Sequence, residues 1–98
     1  MRPLYVDVKL TKGVTAGRVK SVELQTSADA NFSAPITEMV VTIGKTAEQQ
    51  KHACQLAQFF ASIQPQGRYV RVKITGDTTA PAGGKIWAYM SPDIQVPV

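Results

Sequence analysis

The sequence predicts an all-β fold, an antiparallel β-sandwich, and three observations carry that prediction. Apolar and polar residues alternate with period two in five separate segments, which sends one set of side chains inward and the other outward on a strand. Clusters of Gly, Pro, Asn, Asp and Ser separate these segments, and turns need those residues. No strand–helix alternation of the kind that builds parallel sheets runs along the chain. Alternation with one polar face also suits antiparallel sheets that meet solvent on one side.

In the first segment Leu4, Val6, Val8 and Leu10 fall on one face, and Tyr5, Asp7 and Lys9 on the other. Gly13 and Gly17 punctuate the loop that follows. The segment 19–26 sets Val22 and Leu24 against Glu23 and Gln25. SADANFSAP then supplies turn chemistry, because Asp and Asn side chains bond their own backbone and Pro fixes φ. Residues 37–44 resume the pattern with Met39, Val41 and Ile43 on one face. The clearest strand is 68–75, with Val70, Val72 and Ile74 opposing Tyr69, Arg71 and Lys73. The GDTTAPAGG stretch predicts a long hairpin connection to 85–90, where Ile86, Ala88 and Met90 oppose Lys85, Trp87 and Tyr89. Pro92 and Pro97 exclude a central strand for residues 91–98, which read as an extended C-terminal tail.

Residues 45–62 carry two patterns at once. TAEQ fits a capping box with Thr46 as N-cap and Gln49 three positions on, and Ala53, Leu56, Ala57 and Phe60 follow at helical spacing. Phe59, Ala61 and Ile63 alternate instead, as a strand does. The residues alone leave both open, with a short helical turn placed near 46–56.

Ninety-eight residues make one domain, spanning 1–98. At 44% hydrophobic and 18% charged, the chain has enough apolar side chain to offset ordering entropy, so a disordered tail is excluded. No run approaches the roughly 18 apolar residues of a membrane-spanning helix. No basic stretch followed by an apolar run opens the chain, so no signal peptide is expected. The net charge of +4 is scattered over eleven Lys and Arg, with no basic stripe or nucleic-acid module.

Catalytic constellations are thin. Cys54 and His52 are the single cysteine and histidine, which excludes a disulfide within one chain and leaves a zinc site short of ligands. No GxSxG elbow is present to expose a serine nucleophile. His52 reads as a surface residue and Cys54 as a small buried hydrophobe. Asp7, Glu23 and Glu38 lie on the polar faces of three strands and read as solvating residues rather than an acid–base pair. GDTTAPAGGK lacks the spacing of a phosphate-binding loop and precedes a strand rather than a helix. The reading is therefore no enzyme, no cofactor and no metal. The feature that stands out is a surface. If the last two strands pair, Tyr69, Arg71, Lys73, Trp87 and Tyr89 share one face with Lys85, and aromatics with Arg mark protein interfaces. A carbohydrate-binding β-sandwich module is the alternative, through stacking of a sugar on Trp87.

The order of several motifs resembles the capsid cement, or decoration, proteins of tailed bacteriophages. A P-L-Y strand opens the common region. An LQTS-D-F-S-P segment follows, here Leu24, Gln25, Thr26, Ser27, Asp29, Phe32, Ser33 and Pro35. Next come an RYVRV strand at 68–72 and a Gly-rich loop leading to a last strand that ends near Asp93. The resemblance covers roughly residues 3–44 and 63–93. Members of that family commonly carry a further segment before the P-L-Y strand, and this chain opens almost at it. AEQQKHACQLAQFF departs from the family's usual stretch, where an extended strand over Phe59 to Ile63 would be expected. The resemblance implies a jelly-roll sandwich without enzymatic activity that binds the outside of an assembled shell. The implied partner is the major capsid protein, with a homo-oligomer, a dimer by preference, as the binding form. No nucleic acid or membrane is implied as a partner. The implied location is the virion surface, reached from the host cytoplasm during assembly.

Overall fold

The computed structural model describes residues 2–63 and 67–92, and these form an all-β sandwich of six strands. The strands are β1 (Arg2–Lys12), β2 (Val19–Ser27), β3 (Ile36–Thr42), β4 (Cys54–Ile63), β5 (Tyr69–Gly76) and β6 (Lys85–Pro92). A single 3-10 turn, Gln49–Lys51, precedes β4. One sheet has the order β4-β1-β6 and the other β3-β2-β5, with every neighbouring pair antiparallel. The first strand pairs with the last and the second with the fifth, so each central strand joins distant parts of the chain.

The two central strands supply the core. Val6, Val8 and Leu10 of β1 and Val22 and Leu24 of β2 are buried, as period-two alternation requires. Val19, Ile43, Leu56, Phe59 and Ile63 complete the cluster, and Met39, Val41, Val70, Val72 and Ile74 pack against its rim. Phe59 and Ile63 therefore take the inward positions that strand alternation gave them.

The segment 45–63 resolves into both of its patterns in turn. The capping box forms: the Thr46 N–H donates to Gln49 Oε1 at 2.8 Å, and the Gln49 N–H donates to Thr46 Oγ1 at 3.2 Å. The turn it starts ends at Lys51, and Cys54 begins a strand rather than a continued helix. The helical spacing of Leu56, Ala57 and Phe60 comes from a bulge. Val8 faces Ala57 while Lys9 faces Gln55, so Leu56 is the extra residue. Both Leu56 and Ala57 are then buried, and the alternation slips by one at that point.

Two further expectations are corrected. The last two strands do not form a hairpin: β5 pairs with β2 and β6 with β1, in different sheets. The intervening loop crosses the sandwich and is pinned to the β1–β2 loop. The Thr15 N–H donates to the Ala82 carbonyl at 2.8 Å and the Ala82 N–H to the Ala16 carbonyl at 3.0 Å. Gly83 sits at φ 80°, and a Cβ there would lie 2.2 Å from Thr15 Oγ1, so the close approach needs glycine. The tail begins later than the sequence suggested. Ser91 and Pro92 belong to β6, opposite Tyr5 and Leu4, on an edge strand where a missing N–H is tolerated. Residues 93–98 of the expected tail, with Asp93 and Pro97, and Pro65 lie outside the described residues.

Candidate functional site

The sandwich has two outer faces, and the five interface candidates divide between them. Trp87 and Tyr89 lie on the outer face of the β4-β1-β6 sheet, while Tyr69, Arg71 and Lys73 lie on that of β3-β2-β5. They do not form one surface, because the strands that carry them belong to different sheets.

On the first face the register of β1 sets what meets Trp87 and Tyr89. Lys9 stands opposite Trp87 and Asp7 opposite Tyr89. The Lys9 ammonium lies 4.5 Å from the Trp87 ring centroid, within cation–π range. The Trp87 and Tyr89 rings are parallel within 3° with centroids 5.6 Å apart, as side chains two residues apart on one strand can be. On the other side of β1, Tyr5 packs on Phe60 with centroids 5.2 Å apart. Gln55 donates to Asp7 Oδ1 at 2.6 Å, and the Gln58 amide donates to the Tyr5 hydroxyl. The result is an aromatic band across all three strands, in which Phe60 is 62% exposed, Tyr89 47% and Trp87 40%. Residue patterning missed Tyr5 and Phe60 as partners in this band. Tyr5 has the right parity in β1, but its neighbours depend on which strands flank β1. Phe60 was hidden by the bulge that shifts its phase.

On the second face Arg71 is held by its own contacts, while Tyr69 is 44% exposed. The Arg71 guanidinium lies 4.4 Å from the Phe32 ring centroid and donates through Nε to Gln25 Oε1 at 2.8 Å. Phe32 reaches that position from the 28–35 loop at φ 52°. Asp29 knits the loop: the Ser27 and Ser33 hydroxyls donate to its carboxylate at 2.8 and 3.0 Å. Those two hydroxyls hold the Asp29 carboxyl below the usual carboxylate range. The motif residues Gln25, Ser27, Asp29, Phe32, Ser33 and Arg71 thus interlock as one local structure.

The remaining chemical candidates do not assemble. His52 caps the 3-10 turn at an exposed position, and Cys54 is half-buried at the start of β4. Asp7 belongs to one sheet and Glu23 and Glu38 to the other, so the three carboxylates do not converge. The crossing loop holds an ion pair, Arg18 to Asp77 at 3.0 Å, and Arg18 also donates to the Ile43 and Lys45 carbonyls. The Thr78 N–H, then Arg18, keep the Asp77 carboxyl below its ordinary value. Among the described residues no three His, Cys, Asp or Glu side chains come together as a metal site. No helix among them is long and apolar enough to cross a membrane. No known protein family, curated protein or solved structure matches this chain.

Proposed function

We propose that this chain is a non-enzymatic structural virion protein, a capsid cement. It docks the outer face of the β4-β1-β6 sheet onto the outside of an assembled phage shell and stabilises contacts between capsid subunits. The resemblance supplies the partner, the major capsid protein, and the homo-oligomeric form. The observation that carries the reading is the aromatic band of Tyr5, Phe60, Trp87 and Tyr89 across three strands. Large aromatics with a polar surround are what protein-binding hot spots use. A rigid sheet face loses little ordering entropy on docking. Co-sedimentation with expanded capsids of the phage or prophage that carries the gene tests it. Saturable binding at a symmetry-related copy number is the expected result; a folded protein that stays in the supernatant would end the cement reading.

One observation favours a second reading, a carbohydrate-binding module. Parallel Trp87 and Tyr89 rings beside Asp7, Gln55 and Gln58 offer stacking and hydrogen bonds on one flat face. Saturable quenching of Trp87 fluorescence by oligosaccharides, without shell binding, would select it.

A further inference from the structure

β6 is the one described strand exposed on both faces along most of its length. Its inward-facing Ile86 and Met90 are 42% and 37% exposed, and Ala88 between them is exposed too. Across the sandwich β3 packs on β4, and no element of the second sheet covers β6 to a comparable extent. β6 is also a sheet edge, so alternate backbone N–H and C=O groups point away from β1 toward no described strand. Beside Ile86 a shallow apolar dimple of about 120 Å³, lined also by Leu10, Val14 and Pro81, prolongs the uncovered strip.

We propose that this edge pairs antiparallel with β6 of a second copy, joining two three-stranded sheets into one of six strands. The strand suits itself as a partner. From Ile86 to Ser91 it carries no charge. Pairing about Ala88 sets Ile86 against Met90 of the second copy and Trp87 against its Tyr89, apolar to apolar on both faces. Two of the other edges are worse. β5 paired about Val72 would set Arg71 against Lys73, like charge against like. β4 has its inner face already covered by β3.

An antiparallel pair about a two-fold perpendicular to the sheet places both aromatic bands on the same side.

Sedimentation equilibrium of the full chain tests this without a shell, so its failure and the failure of the cement reading are separate. The wild type should be a dimer. Ala88→Lys, at an exposed position, sets two ammonium groups against each other at the two-fold and should weaken dimerisation at least roughly tenfold, with circular dichroism unchanged. Met90→Lys on the same strip gives the same readout if Ala88→Lys does not fold. A monomeric wild type overturns the proposal. So does a trimer, which an isologous edge cannot close, or a dimer that survives the substitution.

Discussion

Gln50 is fully buried, yet it is polar, and its side chain does the work of a missing strand. The Val19 N–H donates to Gln50 Oε1 at 2.6 Å, and Gln50 Nε2 donates back to the Val19 carbonyl at 2.9 Å and to the Lys45 carbonyl at 3.1 Å. It thereby satisfies backbone groups at the start of β2 that the ladder leaves open. Gln50→Leu keeps the bulk and strands these groups, so it should lower stability by about 3 kcal/mol in urea unfolding. A loss below about 1 kcal/mol would mean that Val19 is satisfied some other way. Thr26 presents the opposite case. It is fully buried, and its Oγ1 has no hydrogen-bond partner among the described residues. Thr26→Val removes a desolvated hydroxyl at constant shape and should raise stability by about 1 kcal/mol. A destabilised variant would show that the hydroxyl is paired. Neither residue was legible as core in the sequence, because patterning reads polarity and both are polar. The capping box was legible because TAEQ is a local motif and its two bonds span three residues.

At the scale of elements, the five alternating segments and their inward faces were legible, from Leu4 to Leu10 and from Val70 to Ile74. Alternation is a local consequence of the pleat, and each strand declares it alone. Partners are not local. Nothing in 68–75 or 85–90 says that one strand joins β2 and the other β1, and adjacency in sequence pointed to a hairpin instead. That one error merged two outer faces into a single surface. It also set Arg71 beside Trp87, when Arg71 is bound into Gln25 and Phe32 on the far side of the molecule. The faces can be told apart by substitution. Trp87→Ala and Phe60→Ala should each weaken shell binding roughly 30-fold, the equivalent of a hot spot of about 2 kcal/mol. Arg71→Ala should leave binding within about twofold while lowering stability, because it loosens the loop rather than the docking face. Quantitative co-sedimentation alongside thermal unfolding reads both effects. The reverse ranking would move the docking surface to the β3-β2-β5 sheet.

The wrapping of the whole molecule governs how it must fold. Leu4 pairs with Pro92 and Val19 with Gly76, so the ladders of both central strands join residues far apart in the chain. Closing such loops costs entropy before any packing rewards it, and the rate falls as pairings become less local. A 98-residue chain has a speed limit of about 1 µs, but non-local β-topologies fold in milliseconds to seconds. The slower range is expected here. Trp87 is well placed to report it, since it lies on the last strand and meets Lys9 of the first. Stopped-flow refolding should show the Trp87 signal and far-UV circular dichroism changing together in one phase on that timescale. The reason is that, within the described residues of one chain, β6 pairs only with β1, and β1 gains a buried face only when β2 packs under it. A fast Trp87 phase that precedes the dichroism would mean that β1 and β6 close on their own. The barrier would then lie in docking the two sheets rather than in the long-range pairing that builds each of them.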